Sequence, residues 1–260
     1  MSITTRQLLP SVFLLLTTVA IAHAQAPLQA MRDEIEVRGI VAIPSGEASF
    51  SSNGNTGSVI SFSDDFDFKS EVGFMGRYTH WSTNGKHKIS GEYSQTSWDR
   101  QRSLSRSFTF LGQTFQANLD TSAKLRLNDF KVMYAYRWGN EKVKIGPMVD
   151  MGVISTRLEI SGTTNNGVRT EEGKITKFAA TVGYDLEYAP SPNVYVFNNL
   201  GAISFQGERL FHVEGGVKGF FSSHIGVSGG YRYQRYRVEK SDNFLNLNNH
   251  GPFFGGVVRF

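Results

Sequence analysis

Residues 251–260 read GPFFGGVVRF, and they decide the fold because apolar and small residues alternate there up to an aromatic end. Side chains alternate between the two faces of a β-strand, so Phe254, Val258 and Phe260 share one face and Arg259 lies on the other. Chain ends are usually frayed and polar. An aromatic last residue on a regular apolar face therefore predicts a strand that is held in a sheet to its end.

The same alternation recurs along most of the chain, between turn signals whose spacing is typical of barrel strands. In Ile225–Tyr233, Val227 and Tyr231 share an apolar face, while Ser228 and Arg232 share a polar one. Other segments with this pattern are 66–78, 130–138, 143–153 and 178–188, with weaker ones at 35–43, 89–93 and 211–221. Residues 193–205 are apolar on both faces, so they predict no register. We predict an all-β fold, an antiparallel up-and-down transmembrane β-barrel of ten strands, with eight or twelve as alternatives.

The connections alternate in length, as expected if short turns lie on one side of a membrane and long loops on the other. Short links are expected at 82–85, 139–140, 189–192 and 222–224, and longer ones at 45–64, 100–120, 161–173 and 240–250. Residues 206–208 are expected to form a short outer loop, which is the weakest point of the predicted strand count. Residues 106–115 predict a small hairpin that projects above the membrane, with Leu111 and Gly112 at its tip. The apolar positions shift from Leu125 and Leu127 to Phe130 and Val132, which predicts a β-bulge near 128–129.

Residues 1–24 have the three parts of a secretory signal peptide: Arg6, an apolar segment at 12–22, and an Ala-His-Ala cleavage site at 22–24. The alternative is a membrane-anchoring helix, but the apolar segment is shorter than the roughly 20 residues that span a bilayer. We therefore expect cleavage after Ala24 and a single barrel domain at 25–260. The chain has no cysteine, so stability after export would depend on packing and backbone hydrogen bonds.

Two resemblances support export to an outer membrane. The spacing of Gly255, Val258 and Phe260 resembles the carboxy-terminal assembly signal of bacterial outer-membrane proteins, although Phe253 stands where that signal usually has a polar residue. Residues 85–93, 110–115 and 128–138 are most similar to the small outer-membrane β-barrel proteins of the broad OmpA-like and OmpW-like group. The resemblance covers most of the mature chain. It implies an integral protein of a Gram-negative outer membrane that contacts the membrane lipids and is assembled by the barrel-assembly machinery, and we expect a monomer.

A soluble lipocalin-like barrel is the structural alternative, because it would show the same alternation with Tyr184 and Phe254 hidden inside. The one-sided distribution of the long links disfavours it. Tyr78, Trp138 and Tyr188 also stand where apolar faces approach the short turns, as in an interfacial aromatic girdle. We therefore expect the apolar face to contact lipid.

The opposite face then lines the interior, and it carries charges of both signs. A barrel of roughly eight strands is just filled by side chains, whereas porins have about 16, and an isolated buried ion costs several kcal/mol. We expect a largely plugged lumen, with a narrow, slightly basic passage for small polar or anionic solutes as the alternative. The expected charge network comprises Glu36, Arg38, Glu71, Arg77, Glu92, Lys131, Arg137, Asp150, Lys177, Asp185, Glu214, Lys218, Arg232 and Arg259. Asp67, Lys69, Lys88, Lys144 and Glu187 fall on the same charged face.

One segment, His80-Trp81-Ser82-Thr83-Asn84-Gly85, resembles a catalytic motif. It is similar to the His-x-Ser-Asn patch of outer-membrane lipid A deacylases and phospholipases, in which histidine activates serine. An extra residue separates Ser82 from Asn84, and Asn-Gly is a strong turn signal. The expected topology also puts the patch on the periplasmic side. Lipid A or phospholipid hydrolysis is therefore the lesser alternative, and we expect no catalytic residues, no cofactor and no metal site.

The formal net charge is +4, and basic residues lie in the expected outer loops. Arg100, Arg102 and Arg106 are candidates for contact with lipopolysaccharide, because arginine forks bind phosphate well. Ordinary surface charge is the alternative. The charge is not accompanied by a nucleic-acid-binding motif, so we expect no nucleic-acid partner. The sequence favours a structural or surface-interaction protein without catalytic activity.

Overall fold

A computed structural model describes residues 32–52, 55–205, 208–240 and 243–260. The expected signal peptide at 1–24 lies outside these residues. Within the described ranges no helix is present, and so none that is long and apolar enough to cross a membrane.

Ten long antiparallel strands form a closed ring, which confirms the predicted fold and strand number. They are β1 (Asp33–Ser49), β3 (Glu71–Trp81), β4 (His87–Ser103), β7 (Asp120–Tyr136), β9 (Val143–Thr164), β10 (Gly167–Ser191), β11 (Val194–Phe205), β12 (Glu208–Phe220), β13 (Ile225–Lys240) and β14 (Asn243–Arg259). Four short strands lie outside the ring: β2 (Ile60–Ser61), β5 (Phe108–Phe110), β6 (Gln113–Phe115) and β8 (Trp138–Gly139). Each long strand pairs with the next one along the chain, and β14 pairs with β1, with Ile35 opposite Val258.

The two faces of the wall have opposite polarity. On β1, Glu34, Glu36 and Arg38 are buried inside the ring, whereas Ile35 and Val37 are exposed on its outside. The other long strands carry the same outward apolar belt, which ends near the short turns in aromatic side chains such as those of Tyr78, Trp138 and Tyr188. The apolar face therefore points outward as predicted, and the reversed arrangement of a soluble barrel is not adopted.

The short turns and both described chain ends lie at one end of the barrel. The amide of Phe260 donates to the carbonyl of Asp33 (2.9 Å), and the amide of Arg259 donates to that of His224 in the β12–β13 turn (2.7 Å). At the opposite, outer end, the predictions of long loops at 161–173 and 240–250 are wrong. Strands β9 and β10 continue to a tight turn at 165–166, and β13 and β14 continue to Lys240 and Asn243. Strand pairing needs no apolar face once the chain has left lipid, so polar segments extend the wall.

The β-bulge predicted near Asn128 and Asp129 is also wrong. Strand β7 keeps its register through these residues, and Asn128 lies opposite both Gln95 of β4 and Ser155 of β9. Inward and outward residues alternate without interruption along the strand. The interior, not the register, changes: Leu125 and Leu127 point into an apolar core at the outer end, while Phe130 points outward to lipid.

That apolar core includes a loop, where the sequence predicted a strand. Strand β3 begins only at Glu71, and the rings of Phe66 and Phe68 are buried instead of facing lipid. Asp67 and Lys69 point to solvent and pair with each other (2.6 Å), so they do not line the lumen. We call the buried side chains of this loop and of the following hairpin the outer cap: Phe50, Ile60, Phe62, Phe66, Phe68, Leu104, Phe108, Phe110 and Phe115.

The hairpin at β5–β6 turns at Leu111 and Gly112 as predicted, and both residues have positive φ (50° and 81°), as a two-residue type I′ turn requires. Its phenylalanines are buried in the outer cap, so it does not project freely. Phe50 leaves the end of β1 and reaches β10, half-way round the ring, where a Cβ at Gly173 would lie 2.5 Å from its Cδ1. The outer cap therefore crosses the mouth of the barrel.

We expect Phe62→Ala to lower the free energy of unfolding by about 3–5 kcal/mol, the usual cost of removing a buried aromatic ring. Phe62 has no exposed surface and contacts Phe68. Urea titration of the protein in detergent micelles measures the change. Val168→Ala, at a side chain that is 76% exposed, is the control and should have little effect. Equal stability of the two variants would contradict the packed outer cap.

Candidate functional site

The main polar feature of the molecule is a network of buried ion pairs that crosses the barrel interior. Glu214 of β12 lies at its centre and accepts hydrogen bonds from Arg38 of β1 (2.7 Å) and Arg77 of β3 (3.0 Å). Glu92 of β4 accepts from Arg77 (2.8 Å) and from Arg232 of β13 (2.6 Å). The side chains of Glu92 and Glu214 are 1% and 4% exposed. Arg77 and Glu92 lie opposite each other on neighbouring strands, but the other three pairs join strands three or four places apart in the ring, so the network spans the lumen.

The network continues toward the short-turn end. Glu36 pairs with Arg38 (2.6 Å) and with Lys218 (3.2 Å). Glu34 forms an ion pair with Lys218 and accepts a hydrogen bond from Arg259 (2.8 Å). The Arg259 guanidinium also stacks over the ring of Phe220, 3.9 Å from its centroid. Stacking and pairing together satisfy a charge that would otherwise be costly to bury.

A cavity of about 400 Å³ opens at the short-turn mouth. Its lining includes four cations, those of Arg32, Arg137, Lys144 and Arg259, and the carboxylates of Glu141 and Glu187. Just inside it, Lys88 donates to Asp185 (2.6 Å), and Arg137 lies 3.6 Å from the same carboxylate. The mouth is therefore a slightly basic vestibule that ends on paired charges.

A second polar group lies between the central ion pairs and the outer cap. Asp150 accepts from Thr181 (2.7 Å) and lies 3.4 Å from Nε2 of His212. Asp129 accepts from Gln234 (2.9 Å) and Tyr236 (3.0 Å). The cavity between them holds about 30 Å³, and two further cavities below it hold about 10 Å³ each. Such volumes accommodate about one or two water molecules.

Most of the predicted network residues come together in this interior. Those that are buried and paired there are Glu36, Arg38, Arg77, Glu92, Lys131, Arg137, Asp185, Glu214, Arg232 and Arg259, with the partly buried Lys218, and Asp150 lies in the second group. Glu71 and Lys177 do not join them. Glu71 is 4.0 Å from Arg100 and half-exposed, and Lys177 pairs with Glu208 (2.6 Å).

Sequence reasoning missed two members of the network. Glu34 lies one strand repeat before Glu36 and Arg38 on the same face, but the predicted strand began at 35. Asp129, 3.4 Å from Arg232, was assigned to a bulge. The alternation itself, continued in both cases without interruption, would have placed both carboxylates inside.

The catalytic-like patch at 80–85 is divided among other contacts. Nδ1 of His80 is 2.9 Å from Asp33, while the Ser82 hydroxyl donates to Asn84 (2.7 Å) and accepts from the amide of His87 (3.0 Å). No hydrogen bond joins His80 to Ser82 among the described residues. Ser82 therefore organises the β3–β4 turn. The described residues also contain no cluster of three or more side chains suited to hold a metal ion.

The three arginines expected to contact lipopolysaccharide are placed near the outer cap. Arg106 donates to both carboxylate oxygens of Asp65 (2.9 and 2.7 Å), and this hydrogen bonding raises the pKa of Arg106 above its ordinary value. Arg102 donates to the carbonyl of Asp64 (3.1 Å). Arg102, at the end of β4, and Arg106, just before β5, therefore use part of their guanidinium groups to hold the loop.

The ring, its outward apolar belt and its charged interior define an integral β-barrel membrane protein. The family of the outer membrane protein beta-barrel domain matches residues 11–206, and the chain belongs to this family. The protein is therefore an integral protein of the outer membrane.

Among solved structures, the chain is similar to the outer membrane protease OmpT from Escherichia coli, with a TM-score of 0.61 and 9% identity over 93% of this chain and 100% of that one. It is also similar to Ail, the attachment invasion locus protein of Yersinia pestis (TM-score 0.36, 12% identity, 88% and 100% covered) and to Neisserial surface protein A (TM-score 0.34, 12% identity, 88% and 97% covered). A search of curated proteins finds no match. At these identities the similarity to OmpT shows the fold alone.

We expect Glu214→Gln to lower the free energy of unfolding by about 3 kcal/mol, because it leaves Arg38 and Arg77 buried with less compensating charge. Glu172→Gln is the matched control, since its partner Arg157 and Glu172 itself are about 40% exposed and such pairs contribute about 0–1 kcal/mol. Urea titration in micelles compares the two. Similar losses in both variants would show that the interior pairs are solvated.

Proposed function

We propose that the protein is a closed outer-membrane barrel with a structural or surface-interaction role and no catalytic activity. The observation that carries this proposal is the spanning of the lumen by Arg38, Arg77, Arg232, Glu92 and Glu214, together with an outer cap that crosses the mouth. A solute that entered the vestibule would have to separate buried ion pairs and then displace packed aromatic rings. Both steps are costly.

The surface role rests on the outer hairpins. Strands β9 and β10 carry the wall beyond the apolar belt to a polar tip, where Val168 and Arg169 are exposed. A closed barrel presents such hairpins on a rigid base. We further propose that the protein acts as a monomer, that Gly255, Val258 and Phe260 serve the barrel-assembly machinery, and that residues 1–24 are removed on export.

Reconstitution in planar lipid bilayers tests the closed lumen. We expect no discrete, salt-dependent conductance steps from the folded protein under conditions in which a 16-stranded porin conducts, because the interior cavities hold only one or two waters. Removing two rings of the outer cap, by Phe62→Ala with Phe66→Ala, should leave the bilayer silent, since the central pairs remain. Steady current steps from the unaltered protein would favour the channel alternative, for which the cationic vestibule predicts a preference for anions.

A separate experiment tests the lesser alternative, that the protein hydrolyses lipids. Overexpression of the protein should leave the acylation of lipid A and phospholipids unchanged, because His80 and Ser82 have separate partners. Lipid mass spectrometry measures this, with Ser82→Ala as the comparison. A loss of acyl chains that Ser82→Ala abolishes would reject the non-catalytic role.

A further inference from the structure

The barrel wall is lower at one place near its outer end. The ladder between β10 and β11 reaches outward only to the pair of Val182 with Ala202, whereas β10 continues along β9 to Gly167. The β11–β12 hairpin is thus shorter than its neighbours β10 and β13. The wall steps down beside β10, and the outward surface of the hairpin is open on that side.

A groove of about 730 Å³ occupies this step. Its outward lining combines apolar and aromatic side chains, those of Val182, Phe211 and Tyr233, with two arginines, Arg209 and Arg235. The rings of Phe211 and Tyr233 are 5.9 Å apart, and Val182 is 63% exposed. The groove therefore offers an apolar floor beside a cationic rim.

The arginines of this rim are unusually placed. The β12–β13 register puts Arg209 directly opposite Arg237, and Arg235 opposite Phe211. Like charges directly opposite each other destabilise a sheet. Arg237 pairs with Glu239 (3.2 Å), but Arg209 and Arg235 form no ion pair or side-chain hydrogen bond with the described residues. Inside the ring, by contrast, Glu208 of β12 pairs with Lys177 of β10 (2.6 Å). An anion from outside the chain would remove the repulsion.

The rim lies at the height of lipid headgroups. Along β13, Tyr231 and Tyr233 end the outward apolar belt and Arg235 follows two residues later. At about 3.3 Å per residue, its Cα lies roughly 7 Å beyond that of Tyr233. Tyrosines mark the boundary between hydrocarbon and water. This boundary is at the end opposite the short turns, and so at the outer leaflet.

We propose that this groove is a binding site for lipopolysaccharide, with an acyl chain of lipid A against Val182, Phe211 and Tyr233 and a lipid A phosphate between Arg209 and Arg235. Lipopolysaccharide is the abundant phosphorylated lipid of that surface, and arginine forks bind phosphate oxygens in pairs. The site differs from Arg100, Arg102 and Arg106 in that its guanidinium groups form no ion pair or side-chain hydrogen bond with the described residues that a lipid would have to replace. It is independent of whether the lumen conducts.

The test is lipid that remains bound to the full-length protein extracted from outer membranes in mild detergent. Mass spectrometry gives the ratio of lipid A to protein. The double variant Arg209→Glu with Arg235→Glu should retain about tenfold less lipid A, because two charge-assisted contacts become repulsive. Phe211→Ala, which shortens the apolar floor without changing charge, should reduce the ratio by a smaller factor.

The matched control is Arg100→Glu with Arg102→Glu, which makes the same charge change near the outer cap and should retain lipid A as the unaltered protein does. Added phosphatidylglycerol at equal phosphate concentration should not displace the bound lipid. Equal loss in both double variants, retention in both, or displacement by phosphatidylglycerol would each overturn the site. Retained resistance to unfolding in micelles verifies that the variants are folded. Bilayer conductance is measured separately in phospholipid alone, so a failure here leaves the closed lumen unaffected.

Discussion

Backbone amides and carbonyls in a bilayer have no water to bond with, so a sheet that crosses it must pair its first strand with its last. Here that closure is made by β14 and β1, over a ladder that runs from Glu34 opposite Arg259 to Ser49 opposite Phe244. The rest of the molecule depends on it. Once the ring is closed with ten strands, the number of residues that point inward and the width they must fill are both set.

A ring of this width is too narrow to keep its inward charges solvated, so each of these charges needs a partner of opposite sign. Every second residue of a strand points inside while it crosses lipid, and many of these residues are charged, so carboxylates and guanidiniums from many strands meet in one narrow space. Their partners come from strands far apart in the ring, as with Arg38 and Glu214. Such pairs are often no more stabilising than a well-packed apolar interior, but removing one partner leaves a buried charge uncompensated and is strongly destabilising. The network therefore fixes which interior arrangement is allowed more than how stable it is.

The sequence predicted the ring and most of the network because period-two alternation is preserved by the backbone itself. It could not predict whether each face of a strand contacts lipid, water or the protein interior. Beyond the membrane the polarity inverts: Leu125 and Leu127 point inward to the outer cap, and Phe130 on the same strand points outward to lipid. An inversion of that kind looks like a shift of register, which is why a bulge was predicted at Asp129. The strand predicted at Phe66 and Phe68 was wrong for the same reason, because alternating aromatic residues can also pack in a loop.

The inversion also explains where unpaired charge can be tolerated. Inside the ring an uncompensated guanidinium is costly, and each buried arginine has an acidic partner within 4 Å. On the outer wall above the apolar belt water can solvate such a group, and the cation Arg157 forms only an exposed pair with the acid Glu172 (3.1 Å). Arg209 and Arg235 form no such pair with the described residues, although they lie on the neighbouring strands β12 and β13 beside an apolar groove. Water alone gives no reason to gather arginines at that height, whereas a phosphorylated lipid does.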